Sequence, residues 1–265
     1  MVATPIKPVE PMRWVKPTIA WVKPPDDFVL DDTPVENDAQ PLLAGALRES
    51  LELSDRIPPD GLVLSNFGLC VRLEEELILK APDWLYVRRV NEPGIARKSY
   101  TPHLEGEVPE IVMEFISDLD GEEYSSRPRS PYGKWYFYEQ ILKVPTYIIF
   151  EPDSGLLEVY RLRGDRYELE QPDEEGRHWF EALGLFLGTW RGFKEGRSGY
   201  WLRWWDHETN LLPWGIEKAE QERQRAEEER QRAEEERQRA DAAQQKADRL
   251  AEYLRSQGID PDAIH

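Results

Sequence analysis

The C-terminal part of the chain has a sequence that permits only one regular structure. Between residues 216 and 256 there is no glycine or proline, and a seven-residue unit of the form Ala-Glu-Glu-Glu-Arg-Gln-Arg recurs. Opposite charges, such as Glu228 and Arg232, lie four residues apart, a spacing that supports an isolated helix. The segment is therefore predicted to form one helix, roughly 60 Å long at about 1.5 Å per residue, that projects from the rest of the chain.

The same segment contains few apolar side chains, and this limits how it can associate. Between residues 219 and 239 only the alanines at seven-residue intervals are apolar, a seam too thin for a strong coiled coil. Further along, apolar residues alternate at spacings of three and four: Ala240, Ala243, Ala247, Leu250 and Leu254. Self-association through this helix is therefore expected only at its distal end. The helix should finish at Gly258, because glycine tolerates a left-handed cap.

Composition narrows the class of protein. The 265 residues include 52 acidic and 34 basic ones, giving a net charge of −18, of which −16 lies outside residues 216–250. Such a chain is not a passive nucleic-acid coat protein, because phosphate neutralisation needs a basic surface. The single cysteine, Cys70, excludes a disulfide framework and a cysteine-based zinc site. With no membrane-spanning run and no secretory signal, a cytoplasmic location is expected.

The chain divides by composition into an arm, a domain and a tail, over residues 1–30, 31–214 and 215–265. The arm carries six prolines and should be extended, because proline fixes φ and removes a hydrogen-bond donor. Trp-Val-Lys-Pro occurs in it twice, at 14–17 and 21–24. The duplication indicates either a docking peptide or an arm whose tryptophans, Trp14 and Trp21, pack on the domain.

The domain mixes helix and strand patterns, which predicts an α+β fold built on a mixed sheet. Residues 42–51 place leucine and alanine at helical spacing, and 134–142 form a short aromatic-rich helix. Short apolar runs elsewhere predict strands. The runs at 111–116 and 146–150 are apolar on both faces, as is typical of central strands buried on both sides.

Two acidic residues lie in or beside predicted buried strands, where an ionised carboxylate costs free energy. Glu114 lies within the apolar run 111–116, and Asp83 opens another strand directly after a proline. A buried, unpaired carboxylate costs several kcal/mol, so it needs a metal, a cation or a proton. If the two strands are neighbours, the acids converge and can bind Mg²⁺ or Mn²⁺ through hard oxygen ligands.

Lys134 begins the helix after the strand of Glu114, from where it can reach the same place. Two acids, a divalent cation and a lysine suit phosphodiester hydrolysis. The metal neutralises the phosphate and activates water, while the lysine orients that water or stabilises developing charge. The alternative is structural: Glu114 pairs with a core arginine such as Arg88, and Lys134 is a solvated helix start.

The segments that carry these residues resemble, in their order and spacing, the Uma-type restriction endonuclease family, a branch of the PD-(D/E)XK nuclease superfamily. The resemblance covers roughly residues 30–170 and includes a motif like that family's N-terminal helix, and the charged tail is similar to tails on some members. The matching segments are Pro34–Asn37, Pro82–Val87, Pro109–Ser117, Gly133–Lys134 with Tyr138, and Val144–Pro152.

The resemblance implies a restriction-endonuclease-like fold, a mixed sheet flanked by helices. It implies Asp83 and Glu114 as ligands of Mg²⁺ or Mn²⁺, Lys134 as the catalytic lysine and Glu36 as an auxiliary acid. In the superfamily's standard motif the lysine comes two residues after the second acid, a place that holds Ile116 here. The lysine is therefore expected from the helix instead. Two further positions keep an acid but change its length: Glu110 and Glu151.

Two functions are compatible with these observations. The first is a Mg²⁺-dependent endonuclease acting on DNA. The second is a nuclease-fold interaction protein, weak or inactive as an enzyme, whose C-terminal helix recruits a partner; the net charge of −16 outside the helix favours this second function. A homodimer through the domain or the distal helix is compatible with either. The basic residues expected to contact DNA flank the proposed site: Arg88, Arg89, Arg97, Lys98, Arg127 and Arg129.

Overall fold

The computed structural model describes residues 18–25, 39–116 and 122–258. The chain divides into two compact units, Met1–Leu212 and Pro213–His265. In the first unit the helical elements are α1 (Ala39–Leu53), a 3-10 turn (Glu122–Tyr124), α2 (Lys134–Tyr136) and a π-helical turn that continues it (Phe137–Leu142). Its strands are β1 (Ile19–Ala20), β2 (Leu62–Leu64), β3 (Leu69–Leu73), β4 (Glu76–Lys80), β5 (Trp84–Val87), β6 (Ile111–Phe115), β7 (Thr146–Glu151), β8 (Leu156–Arg163), β9 (Arg166–Leu169), β10 (Arg177–Phe180), β11 (Leu185–Lys194) and β12 (Arg197–Trp205).

The main sheet has six strands in the order β2-β5-β6-β7-β8-β9. Strands β6 and β7 run parallel, and every other neighbouring pair is antiparallel. Parallel neighbours require a crossover connection, and the helical segment 134–142 lies in the one between β6 and β7. The predicted α+β class with a mixed sheet is confirmed.

The centre of this sheet is covered on both faces. Every residue of β5 and β6 is buried, as are the first five residues of β7. The side chains of the helical segment 134–142 contribute Phe137, Tyr138 and Leu142 to the same apolar core. A strand buried on both faces needs apolar residues at successive positions, which is why the runs at 111–116 and 146–150 identified central strands.

Two three-stranded antiparallel sheets complete the first unit, in the orders β1-β3-β4 and β10-β11-β12. Helix α1 packs against the second of these, where the indole of Trp204 donates a hydrogen bond to the carbonyl of Leu47 at 3.3 Å. The ring of Trp21 lies 4.6 Å from that of His103, in an edge contact. Trp21 therefore packs on the domain, whereas Trp14 lies outside the described residues.

The second unit contains α3 (Gly215–Ser256), so the predicted long helix is confirmed. Its first turn is capped by Glu217, whose carboxylate accepts the backbone N–H of Trp214 at 2.8 Å. None of the described side chains of α3 is buried, and Leu250 near its end is 59% exposed. Distal self-association through such residues stays a prediction. Among the described helices, none has both the length and the apolar character of a membrane span.

Candidate active site

Asp83 and Glu114 meet where β5 and β6 lie side by side. The antiparallel register pairs Trp84 with Met113, and one residue further it sets Asp83 opposite Glu114. Residues opposite each other in antiparallel strands project to the same face, with their Cβ atoms about 4.5–5.5 Å apart. The Asp83 carboxylate is also fixed to β6, because its Oδ2 accepts the backbone N–H of Phe115 at 2.6 Å.

The Glu114 side chain is almost wholly buried, with 1% of it exposed. Its Oε1 accepts a hydrogen bond from the hydroxyl of Tyr138 at 2.8 Å, and its Oε2 one from the ammonium of Lys134 at 3.2 Å. The structural alternative, a pair between Glu114 and Arg88, does not form. Arg88 is exposed and follows the end of β5 away from Asp83.

Lys134 joins Glu114 to a second buried acid that the sequence did not single out. Its ammonium lies 2.9 Å from Oε1 of Glu123, which belongs to the 3-10 turn. The backbone carbonyl of Glu123 accepts the hydroxyl of Tyr147, at 3.0 Å, so the turn is tied to β7. Within the described part of the chain, Oε2 of Glu123 is buried and makes no hydrogen bond.

The loop between Glu123 and Lys134 closes tightly over the start of the helix. The Gly133 N–H donates to the carbonyl of Arg127 at 3.1 Å, and a Cβ at position 133 would lie 1.9 Å from the carbonyl oxygen of Ser125. Only glycine permits this approach of two backbones. The loop thereby carries Glu123 to the ammonium of Lys134.

Burial and the gathering of acids control the electrostatics of the site. Burial raises the pKa of Glu114 to about 8, with the Lys134 ammonium opposing the shift and the Asp83 carboxylate adding to it. Burial alone would lower the pKa of Lys134, but the carboxylates of Glu114 and Glu123 outweigh it and raise that pKa above its ordinary value. Lys134 is therefore an ammonium at neutral pH, and Glu114 is the acid most ready to hold a proton.

The expected DNA-contacting residues fall into three places. Arg127 and Arg129 are exposed on the loop between Glu123 and Lys134. Arg88 and Arg89 follow the far end of β5, and Arg89 pairs there with Asp60 at 3.1 Å. Arg97 and Lys98 line a separate cavity. Glu36, the expected auxiliary acid, lies outside the described residues.

Comparison with protein families supports the resemblance carried by these residues. The model of the Uma2 family, described as "Putative restriction endonuclease", matches residues 31–190, more than half of the chain. The chain belongs to the Uma2 family. The match contains Asp83, Glu114, Glu123 and Lys134 and ends within β11, so β12 and α3 lie outside it. A search of curated proteins finds no match.

In this Uma2 protein the gathered acids suit a hard divalent cation. The carboxylates of Glu114 and Glu123 contact the ammonium of Lys134, and the Asp83 carboxylate adds to the negative charge around it. One buried oxygen of Glu123 has no hydrogen-bond partner in the described residues. Across the described ranges, no group of three or more His, Cys, Asp or Glu side chains is placed to hold a metal. Two carboxylates are enough for Mg²⁺, which keeps several waters and binds substrate phosphate as well.

Proposed function

We propose that this protein is a metal-dependent endonuclease that hydrolyses phosphodiester bonds of DNA. The observation that carries the proposal is the contact of Lys134 with buried Glu114, beside Asp83, in a chain of the Uma2 family. Burying two acids and a lysine at one end of two central strands costs free energy, and packing alone does not require charged groups there. The arrangement supports chemistry on a phosphate.

Asp83 and Glu114 would hold the cation through their carboxylate oxygens. Bound there, Mg²⁺ or Mn²⁺ supplies neutralisation of the phosphate charge and a water of lowered pKa. Asp83 is pre-positioned by its hydrogen bond to the Phe115 N–H, and Glu114 by its hydrogen bond from Tyr138. Both bonds favour the ionised carboxylates that a cation requires.

Lys134 acts as a charged hydrogen-bond donor in this proposal. Its pKa is raised above the ordinary value because Glu114 and Glu123 outweigh its burial, so it does not take up a proton from water near neutral pH. An ammonium held there can orient the attacking water or stabilise the negative charge that develops on the phosphate oxygens. Glu123 is a positioning residue, since it holds the ammonium at 2.9 Å while Glu114 holds it at 3.2 Å.

Exposed arginines can contact the phosphates of the DNA backbone although the protein as a whole is negatively charged. Arg127 and Arg129 are exposed on the loop that leads from Glu123 to Lys134, two residues whose side chains pair at the candidate site. A local basic rim attracts phosphate even where the net charge of the whole protein is −18. The proposal therefore assigns phosphate contacts to these two residues first.

A nuclease assay over several DNA forms tests the proposal. Supercoiled plasmid, linear duplex and single-stranded DNA are incubated with Mg²⁺, Mn²⁺ or EDTA. We expect cleavage only with a metal, and loss of cleavage in Asp83→Asn and Lys134→Met. The matched control is Lys143→Met, which removes a lysine at the other end of the same helical segment, where it pairs with Asp165.

Two results would count against the endonuclease. Full activity of folded Lys134→Met would remove the lysine from the mechanism. No cleavage of any DNA form by the wild-type protein with either metal would leave the nuclease-fold interaction protein as the better description. Thermal unfolding of each variant shows whether it is folded before its activity is compared.

A further inference from the structure

A cavity of about 450 Å³ lies apart from the candidate acids, among segment 18–25, β4 and the loop that follows β5. Its walls include Lys23, Pro24, Leu79, Ile95, Arg97 and Lys98, and we call it the Arg97 cavity. A smaller cavity of about 230 Å³ shares part of this lining. The volume of the larger one is in the range of small-molecule sites, about 300–1,000 Å³.

Arg97 gives the cavity a fixed, buried cation. Only 5% of its side chain is exposed, and its two terminal nitrogens donate to the backbone carbonyls of Ile95 and Glu92. Its Nε lies 3.6 Å from a carboxylate oxygen of Glu105 and makes no hydrogen bond with any described residue. The guanidinium is therefore oriented in advance, its Nε faces Glu105, and each terminal nitrogen carries a second N–H besides the one it donates to the backbone.

The charges that line the cavity favour an anion. Glu105 is the one acid among the described lining residues, and this carboxylate is already engaged by Lys23 at 3.3 Å and by the Thr101 N–H at 2.8 Å. Among the described lining residues there are three cations, Lys23, Arg97 and Lys98, and one acid, Glu105, which lies within ion-pair distance of Lys23 and Arg97. An excess of basic over acidic lining residues is unusual in a chain of net charge −18, and it favours binding of a phosphate group.

The rest of the lining is apolar. Pro24 and Leu79 form part of the wall, and Ile95 is 45% exposed although it is a large aliphatic residue. An apolar wall beside a cluster of cations suits a ligand that has a phosphate and a flat, apolar body. A nucleotide has both parts, and every base offers such a face whatever its identity.

The position of the cavity connects it with the candidate acids. Leu79 in its wall is four residues before Asp83, and four residues of extended chain span at most about 14 Å. A nucleotide held in the cavity would therefore belong to the same stretch of strand as the phosphate at the acids.

We infer that the Arg97 cavity binds one nucleotide unit of the substrate strand. The phosphate lies against Lys23, Arg97 and Lys98, and the base lies against Pro24 and Ile95. This inference rests on the proposed function, because that function supplies the DNA strand. It adds a strand-binding site that works without metal and without the acids.

Oligonucleotide binding in EDTA tests the inference with the full chain. Fluorescence anisotropy of a labelled short single-stranded oligodeoxynucleotide is compared for wild type and for Lys23→Glu with Lys98→Glu, which leaves buried Arg97 in place. We expect an affinity loss of about tenfold or more at fixed salt. The control is Arg163→Glu with Arg166→Glu, an equal charge change on exposed residues of the β8–β9 hairpin, with little loss expected.

The outcomes separate this inference from the proposed function. Equal affinities of the cavity variant and the control variant would overturn the nucleotide site, whether or not the protein cleaves DNA. A deoxynucleoside monophosphate or inorganic phosphate that competes as strongly as the oligonucleotide would overturn the assignment to a strand. Asp83→Asn should bind the oligonucleotide as wild type does while losing cleavage. Cavity-dependent binding by a wild-type protein that cleaves no DNA would leave this site standing and contradict the endonuclease.

Discussion

Glu114 in β6 and Glu220 in α3 are the same side chain in opposite surroundings. Burial raises the pKa of Glu114 to about 8, although Lys134 lies 3.2 Å away. Glu220 is exposed, and its hydrogen bonds from Arg223 and Gln224 lower its pKa to about 2. An exposed acid with a cationic partner keeps its hydration and ionises easily. For a buried acid, the attraction of one cation does not compensate for the lost hydration, so its pKa rises. A bound cation would stabilise the ionised form of such a buried acid.

The largest difference in stability is expected when the basic residue is removed from each of the two ion pairs, Lys134–Glu114 and Arg223–Glu220. Lys134→Met leaves Glu114 and Glu123 buried without an ammonium, and we expect the free energy of unfolding to fall by about 2–4 kcal/mol at pH 8. The loss should be smaller at pH 5, because protons can replace the ammonium. Arg223→Met in α3 should leave the unfolding of the first unit unchanged, since the Arg223–Glu220 pair is exposed. Denaturant unfolding measures both, and an equal effect of the two variants would contradict the contrast.

The next effect is a dependence of stability on pH. The folded-state pKa of Glu114, about 8, lies above its ordinary value of 4.5, so between these values the folded protein holds a proton that the unfolded chain releases. This contribution is complete below the ordinary pKa and is lost as the pH rises through about 8. Glu114→Gln cannot ionise. The variant should therefore gain about 2 kcal/mol or more relative to wild type between pH 5 and pH 8.

Urea unfolding of both proteins across this pH range measures the difference. The helix content of α3 should stay constant over the same range, because the lowered pKa of Glu220, about 2, lies below it. Parallel pH curves for wild type and Glu114→Gln would show that Glu114 is ionised throughout.

The smallest effect is expected from removing the tail. No described side chain of α3 is buried, and a helix that is polar all round adds little to a core. We propose a domain boundary at residues 214/215, and truncation there should shift the melting temperature of the remaining chain by less than about 2 °C. A large drop on truncation would show that the tail stabilises the first unit.

The sequence identified those parts of the site that break a local pattern. Glu114 interrupts an apolar run, and Asp83 follows a proline at a strand start, so both could be selected without coordinates. The long helix of the tail could be predicted, because it depends only on neighbours three and four residues away. The same locality explains why Lys134 was found: it begins a recognisable helix.

Two features depend on the tertiary fold and could not be read from the sequence. Glu123 lies in a loop without periodicity, and only the closure of that loop at Gly133 brings it to Lys134. Arg88 was selected because it is near Asp83 in sequence. A strand advances about 3.3 Å per residue, so β5 carries Arg88 roughly 16 Å along the sheet. The segment Gly-Glu-Glu-Tyr, in which Glu123 is the second glutamate, reads in the sequence like any solvated acidic loop.

Titration of Mg²⁺ by calorimetry tests most directly whether Asp83 and Glu114 form the proposed cation site. Wild type should bind Mg²⁺ with an affinity that increases as the pH rises towards about 8, because the cation must displace the proton held by Glu114. Asp83→Asn and Glu114→Gln should each abolish this binding while the weak, pH-independent binding to the exposed acids of α3 remains. Identical Mg²⁺ binding by the wild type and both variants at every pH would show that Asp83 and Glu114 do not form a cation site.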